Sequence, residues 1–329
     1  KILAAIILIG FISCNSDFLN KPNPTQLSED NFYNNENQFK QAVNGVYGQL
    51  QNYIAQQWMY SEFISDNTTL HFNPSDRGQA GHLEQLEYWQ YNAASSNIRN
   101  LYNLTYNALM NINNTLDKLA AANLDQKLIV DYEGQLRFLR AFYYFDLVRL
   151  FGDVIIVRAP MSSVAEAYEF SRSPISEVYD FIISDLNFAI SALPKPSEIK
   201  STEKGRISQG AALALLGKVY LTQKEYSSAV STLKEITHLG YQLVSEYSQI
   251  FSPDNKNNSE SIFEVQFQED SDVGEWSGFI YNFYPRESYG AVIKFTGISG
   301  GGWNIPTRDI IGFYEEGDLR KYISLAEGY

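Results

Sequence analysis

The chain has 329 residues, of which 25 are lysine or arginine and 38 are aspartate or glutamate, so its formal net charge is −13. This acidic balance argues against a nucleic-acid-binding protein, because binding to the phosphate backbone depends on clustered lysine and arginine. A single cysteine excludes a disulfide framework, and three histidines leave little for a zinc site. Aromatic residues make up 14% of the chain, and tyrosine at this density suits a surface that stacks on uncharged ligands.

The chain begins with an apolar run that ends at its only cysteine. Residues 2–12 are apolar throughout, but the run is too short to span a bilayer, which takes about 20 residues. It has the length of the apolar region of a secretory signal peptide. Cys14 follows the small residue Ser13, in an arrangement that resembles a bacterial lipobox. We therefore expect residues 1–13 to be a lipoprotein signal peptide and Cys14 to carry lipid, palmitate included. The alternative is a buried structural cysteine in an apolar helix.

Polar residues 14–31 contain two prolines and are expected to form a tether between the lipid and the folded part. Helical periodicity then dominates. The first predicted helix contains Phe39 to Ile54, with Asn35 and Gln38 as a capping box. Further helices are predicted over residues 98–119 and 124–151, the latter with Gly152 as a left-handed C-cap. A fourth is predicted to be capped by Ser173, to begin at Pro174 and to stop at Pro194.

Residues 208–239 are predicted to form a helical hairpin with the spacing of a tetratricopeptide unit. Small residues fall where two helices must cross closely, and the positions that carry this pattern are Leu216, Gly217, Tyr220, Ala229 and Leu233. Gly240 is expected to end the second helix. Residues 261–268 alternate like a strand, whereas residues 65–90 and the part from 269 onward lack periodicity and predict long loops. The expected fold class is mostly α: a tetratricopeptide-like helical-repeat scaffold with long irregular loops and a minor β component.

The segment EGQLRFLRAFYYFDLVRLFGDV, residues 133–154, closely resembles the signature helix of SusD/RagB-like nutrient-binding lipoproteins of Bacteroidota. Three further blocks fit the family in the same order, namely residues 17–24, residues 205–220, and residues 302–307 with 317–320. Ile155 and Leu319 stand where the family often has proline. The resemblance assigns residues 32–268 to the tetratricopeptide-like SusD/RagB domain and residues 269–329 to the start of a loop-rich C-terminal region. Because family members are usually longer, we expect the chain to be a fragment.

The resemblance implies a function as well as a fold. Members of the family are lipid-anchored at the outer membrane, face the exterior and cover a SusC-like TonB-dependent transporter. They capture oligosaccharides or, less often, peptides and perform no chemistry. We therefore expect a non-enzymatic glycan-binding lipoprotein of a polysaccharide-utilisation system, with no metal or organic cofactor and no nucleic-acid partner. A peptide-binding member of the same family is the alternative.

A glycan site needs a flat aromatic surface for the sugar ring and planar amides or carboxylates for its hydroxyls. The two irregular regions offer both, and we expect them to face each other. The predicted ligand-binding residues are Asp66, Asn67, His71, Arg77 and Trp89 from the first region and Trp276, Tyr281 and Tyr284 from the second. Each aromatic residue has a packing role as its alternative, and Asp66 and Asn67 have turn or helix capping. Trp303 is expected to be structural.

Other classes of function remain open at this point. A glycoside hydrolase would need two opposed carboxylates, for which the acidic residues Glu269, Asp270, Asp272 and Glu275 are candidates. A tetratricopeptide adaptor would bind a peptide along the 208–239 hairpin instead. Arg137 and Arg149 lie three or four residues from acidic side chains of the same predicted helix, and together with Arg140 they are expected to form ion pairs along that helix instead of an acid–base site. His71 and His82 lack neighbouring cysteines, which argues against a metal site.

Overall fold

The computed structural model describes residues 32–71, 80–161, 163–268, 276–284 and 301–325. The predicted signal peptide, Cys14 and the tether lie outside these ranges. In chain order the elements are α1 (Glu36–Gln57), α2 (Met59–Glu62), β1 (Thr68–Leu70), α3 (Ala80–Glu87), α4 (Ser96–Ala120), α5 (Gln126–Phe151), α6 (Val164–Ala167), α7 (Ile175–Ala192), α8 (Gln209–Thr222), α9 (Tyr226–Ile236), β2 (Asn304–Pro306), α10 (Arg308–Gly312) and α11 (Arg320–Ser324). None of the described helices has the length and apolar character that crossing a membrane requires.

The long helices pack in succession, α1 on α4, α4 on α5, α5 on α7, α7 on α8 and α8 on α9. Helix α5 lies in the middle, and it is buried on most of its surface instead of along one stripe. Its side chains Leu136, Leu139 and Tyr143 have no exposed surface. A helix that is buried on most of its surface needs neighbouring elements on several sides, so α5 is the central helix of the stack. The predicted mostly helical, tetratricopeptide-like fold is confirmed.

The crossing of α8 and α9 depends on a missing side chain. A Cβ atom added at Gly217 would overlap the side chain of Leu233, so the two helices approach as closely as the sequence predicts. Helix α9 ends at Ile236, earlier than predicted, and a turn leads to Gly240, whose φ is 86°. Gly240 therefore does not follow α9 directly, because a hydrogen-bonded turn lies between the end of the helix and this glycine.

Two predicted helix caps hold and a third does not. The side-chain oxygen of Asn35 accepts a hydrogen bond from the backbone N–H of Gln38 at 3.1 Å, and Gly152 follows α5 with a φ of 71°. The other half of the predicted capping box differs, since Gln38 Oε1 accepts from the N–H of Asn34 at 2.7 Å and not from that of Asn35.

Ser173 does not cap α7, because the helix begins at Ile175 and Pro174 takes the N-cap position. The N–H of Ser173 donates to the carbonyl of Val154 at 2.8 Å in an isolated bridge. Asp153 takes over, and its Oδ1 accepts from the first N–H of α7 at 3.0 Å.

The strand predicted over residues 261–268 is wrong, since the segment has no regular secondary structure. Its apolar side chains pack on the helices, with the Phe263 ring 5.7 Å from that of Phe138. Two of its carbonyls, those of Gln266 and Phe267, accept hydrogen bonds from the side chains of Gln51 and Lys256. Side-chain donors thus satisfy two carbonyl groups that a neighbouring strand would otherwise bind.

The minor β component lies elsewhere. β1 and β2 form an antiparallel pair in which Thr68 faces Pro306 and Leu70 faces Asn304. The expectation that residues 65–90 form a loop throughout is also wrong, because this stretch contains β1 and α3. Leu83 and Leu86 of α3 are buried at a spacing of three residues, which is enough for a short helix on the core.

A buried ionic network joins three helices. Arg140 of α5 makes two hydrogen bonds to the carboxylate of Asp185 on α7, at 2.7 and 2.9 Å, and a third to the Oδ1 of Asn113 on α4 at 2.8 Å. Asn113 in turn donates to the carbonyl of Val157 at 2.8 Å. The predicted pairing along one helix is therefore wrong for Arg140. It is right for Arg137 with Glu133 and for Arg149 with Asp146. These charges serve structure.

Candidate functional site

The two predicted loop regions are anchored at the same end of the helical stack. Trp58 and Phe63, which follow α1 and α2, are both buried. The Trp58 ring lies 5.0 Å from the ring of Phe283 and 6.3 Å from that of Phe279. Residues 276–284 are therefore held on the core by their phenylalanines, which leaves other side chains of this segment directed outward.

Residues 301–307 join the first loop region to the second. The N–H of Trp303 donates to the carbonyl of Asn282 at 2.9 Å, and the carbonyl of Trp303 accepts from the N–H of His71 at 3.0 Å. Farther along, the N–H of Thr307 donates to the carbonyl of Asn67 at 2.9 Å. One extended segment thus has backbone contacts with both loops. We call residues 64–71, 87–92, 276–284 and 301–307 together the loop face.

The predicted ligand residues of the first region lie at an edge of this face. Asp66, Asn67 and His71 are exposed, and the carbonyl of Asp66 accepts from the hydroxyl of Thr307 at 2.9 Å. Asp66 therefore contributes its backbone to the fold and leaves its carboxylate in solvent. Arg77 lies outside the described residues. Glu62 lies just before this face; burial raises the pKa of its carboxyl group, and its backbone carbonyl accepts from the hydroxyl of Thr68 at 3.0 Å.

Trp89 stands next to β1 but apart from the second loop. The hydroxyl of Thr69 donates to the carboxylate of Glu87 at 2.6 Å, and this contact fixes the end of α3 against β1. Trp89 follows in the left-handed region with φ 56°, and 65% of its surface is exposed. Among the described residues, the ring that it meets is that of Tyr91, at 6.5 Å. Trp89 thus forms an aromatic pair of its own.

Trp276 lines a cleft of about 270 Å³ that the sequence did not indicate. The Trp276 side chain is 64% exposed, and the opposite wall comes from Gln51 and Asn52 of α1, with Phe279 and Asn282 beside it. Asn282 donates to the carbonyl of Phe279 at 3.1 Å, so its amide is held in place. Asn52 is exposed, and its side-chain amide makes no hydrogen bond within the part of the chain that the structure describes.

An aromatic ring beside amide groups can bind a pyranose. The apolar C–H face of the sugar covers the ring, and each amide offers a donor and an acceptor to neighbouring hydroxyls. Gln51 and Asn52 were missed because they lie far from Trp276 in sequence. Their one signal is position, since both fall off the buried stripe of α1.

Tyr281 and Tyr284 belong to the same segment as Trp276. Tyr281 is 51% exposed, and its carbonyl accepts from the N–H of Gly301 at 2.6 Å. A Cβ atom at Gly301 would lie 2.7 Å from the Tyr281 ring, so the absence of a side chain there fixes where the ring sits. Tyr284 is half-buried and less available. Trp276 and Tyr281 are both exposed side chains of this segment, and Tyr281 does not line the Trp276 cleft.

The alternative chemistries receive no further support from the geometry. The carboxylates at 269, 270, 272 and 275 that a hydrolase would use lie outside the described residues. No group of three or more histidine, cysteine or acidic side chains within the described ranges is arranged to hold a metal ion. His82 belongs to α3, where its ring lies 3.3 Å from the hydroxyl of Ser96.

The fold and the loop face define a tetratricopeptide-like protein with an aromatic surface that is open to a ligand. A SusD-like family model, described as starch-binding and associating with the outer membrane, matches residues 17–221. Since this match covers more than half of the chain, the chain belongs to the SusD-like family. The resemblance found in the signature helix is confirmed.

Individual relatives agree with this assignment. A SusD-like protein of Formosa agariphila is 21% identical over the whole chain and 68% of its own length. The starch-binding protein SusD of Bacteroides thetaiotaomicron is 25% identical over 63% of this chain and 34% of its own length. Among solved structures, a laminarin-binding SusD-like protein superposes with a TM-score of 0.77 at 26% identity, over 88% of this chain and 66% of that one. The chain thus spans two thirds or less of two of these three proteins, and two of the three are named for binding a polysaccharide.

Proposed function

We propose that this protein captures an oligosaccharide at the outer surface of the cell and delivers it to a SusC-like TonB-dependent transporter. The observation that carries the proposal is the exposed Trp276 ring in a cleft with amide groups. Family membership supports a glycan as the ligand, and the named ligands of relatives, starch and laminarin, indicate a glucose-containing or related polysaccharide. Asp66, Asn67, His71, Arg77, Trp89, Tyr281 and Tyr284 are proposed as further contacts of an extended chain of sugars.

The size of the Trp276 contribution follows from its exposure. A tryptophan side chain presents about 250 Å². With 64% exposed, and one of two faces covered by a sugar, the ring would lose about 80 Å² of accessible surface. At about 25 cal/mol per Å², this burial contributes about 2 kcal/mol, or about thirtyfold in affinity.

The test starts with a glycan array, and the glycans that bind are then titrated by isothermal calorimetry. Trp276→Ala is expected to weaken binding about thirtyfold, and Trp276→Phe, which keeps a smaller ring, to weaken it less. Tyr168→Ala is the matched control, because Tyr168 is 86% exposed and lies outside the cleft. Unchanged affinity in Trp276→Ala would refute the site. Binding of peptides in place of glycans would refute the proposed ligand class.

Anchoring and delivery are tested in cells with the full-length protein. We propose that Cys14 carries the lipid that holds the protein at the outer membrane, facing the exterior. Labelling with an alkyne-tagged fatty acid is expected to mark the wild-type protein and not Cys14→Ala. A SusC-like transporter is expected to co-purify with the wild-type protein. Equal labelling of both forms would refute lipidation at Cys14, and the absence of the transporter would refute the proposed partner.

A further inference from the structure

A second cavity, larger than the Trp276 cleft, lies between α3, α4 and the end of α5. Its volume is about 590 Å³, within the usual range of about 300–1,000 Å³ for small-molecule sites. Buried Tyr60 and Leu86 form part of its apolar lining, together with Tyr102 of α4. Tyr91 is 39% exposed and also lines the cavity, and its ring is the one that meets Trp89. We call this space the Tyr91 cavity.

The aromatic lining of the Tyr91 cavity is rigid. The Tyr102 ring lies 5.3 Å from the ring of Phe151, edge to face, and 4.6 Å from that of Tyr106. Tyr106 is fixed in turn by a hydrogen bond from its hydroxyl to the carbonyl of Ile155, at 2.8 Å. A ring held on two sides does not collapse into the space beside it, so the cavity presents a preformed apolar surface.

Two arginines line the same cavity without an ion-pair partner. Arg99 of α4 and Arg172, just before α7, are both exposed, and no carboxylate within the described ranges lies at ion-pair distance from either guanidinium. Arg158 and Arg308 also have no carboxylate at ion-pair distance among the described residues, but neither of them lines this cavity. The described arginines that do pair with carboxylates are Arg137, Arg140, Arg149, Arg206 and Arg320.

One carboxylate also lines the Tyr91 cavity, but it is committed to the fold. Asp153 Oδ1 accepts from the backbone N–H of Ile175 and caps α7. The cavity therefore has two positive side chains against one negative side chain that is partly neutralised by the helix end. The balance favours an anion, and a planar guanidinium matches the paired oxygens of a carboxylate or a sulfate ester.

We propose that the Tyr91 cavity is a second binding site, selective for a sugar residue that carries a carboxylate or a sulfate ester. The tyrosines receive the apolar face of the ring, and Arg99 and Arg172 bind the acidic group. The inference rests on the proposed function in one respect, namely that the ligand is a saccharide. The site uses residues that are separate from the Trp276 cleft, so each can fail without the other.

The test measures oligosaccharides in matched pairs that differ only in charge. Trigalacturonate is compared with galactotriose of the same linkage, and a sulfated carrageenan tetrasaccharide with its desulfated form, within a wider array of acidic and neutral glycans. We expect at least one acidic member to bind about tenfold more tightly than its neutral partner, and its affinity to fall with added salt. The two pairs distinguish a carboxylate from a sulfate ester as the recognised group.

Variants then test which residues cause the preference for acidic oligosaccharides. Arg99→Gln and Arg172→Gln are each expected to lower the affinity for the acidic sugar about fivefold, as the loss of one partly exposed charge-assisted hydrogen bond. Tyr91→Ala is expected to weaken acidic and neutral members together. Lys218→Gln is the control, because Lys218 is an exposed cation on α8 that does not line the cavity. The acidic preference is also expected to survive Trp276→Ala.

Each of the following outcomes overturns the inference. Equal affinity for the acidic and neutral members of every pair removes the selectivity. An acidic preference that neither arginine substitution reduces places the site elsewhere. A preference that disappears in Trp276→Ala assigns it to the other cleft. Binding of neutral glycans alone, lost in Trp276→Ala, refutes this inference and supports the proposed function, whereas no binding to any glycan refutes both.

Discussion

Removal of the Asp185 carboxylate is expected to be among the most damaging single changes in this fold. Asp185 is 1% exposed and Arg140 is 7% exposed, so the pair is shielded from water. Asp185→Ala leaves the Arg140 guanidinium buried with one remaining side-chain partner, Asn113. Breaking a buried pair in this way costs about 3–5 kcal/mol of the free energy of unfolding.

The cost arises from the orphaned charge and much less from the lost attraction. The double variant Arg140→Met/Asp185→Leu removes both charges and fills similar volume, so we expect it to cost less than Asp185→Ala alone. The two single costs are therefore expected not to add, with a coupling energy of about 2 kcal/mol or more. Glu133→Ala serves as the control. Its i,i+4 pair with Arg137 is about a quarter exposed and should contribute about 0.5 kcal/mol.

Urea unfolding followed by far-ultraviolet circular dichroism and by tryptophan fluorescence measures these free energies. Coincident transitions by the two probes are needed before two-state values are compared. A loss below about 1 kcal/mol in Asp185→Ala would refute the view that the charge is desolvated. A double variant as unstable as the sum of the two single variants would refute the role assigned to the orphaned guanidinium.

Three further predictions concern helix contacts. Hydrogen bonds from Arg206 and Lys40 hold the pKa of the Glu203 carboxyl group below its ordinary value. The contribution of Glu203 to the free energy of unfolding is therefore fully present above about pH 4.5, and it is lost as the pH falls through the lowered pKa. Glu203→Gln should therefore flatten the acid limb of a urea stability profile, and an unchanged limb would contradict this. Gly217→Ala should cost about 1–3 kcal/mol by overlap with Leu233, and Leu233→Ala should recover part of the loss when combined with it in the same unfolding assay. Asp153→Ala should cost about 1 kcal/mol as a lost helix cap, measured in the same way, while a value near zero would mean that the cap is replaced by water.

Local features of the fold could be predicted from the sequence. Helices α1, α4 and α5 follow from apolar spacing, and Asn35 and Gly152 mark ends because each satisfies a backbone requirement within a few residues. The small residue Gly217 indicates a close helix crossing for the same reason. In these cases the structural feature depends on residues that lie close to it in the sequence.

Features that depend on distant partners could not be predicted. The Arg140 side chain is expected from the sequence to pair along its own helix, yet it pairs with Asp185 because α7 packs beside α5. The alternation in residues 261–268 indicates a strand, but no strand of the described residues lies beside it. The amides opposite Trp276 come from α1, and nothing in the sequence around Gln51 and Asn52 distinguishes them from other exposed polar residues on a helix. A candidate site built from two loops and a helix face is therefore visible only in three dimensions.

The pairing of β1 with β2 has a consequence for biosynthesis. The hydroxyl of Thr307 donates to the carbonyl of Asp66 across 241 positions of sequence, whereas the helix stack is built mainly from neighbours in chain order. Because the polypeptide is synthesised from its amino end, the helices can pack on one another before the partner strand of residues 66–71 has been made. The surface around Trp276 is thus completed after the helices, so the nascent protein acquires its scaffold before the proposed Trp276 site is whole.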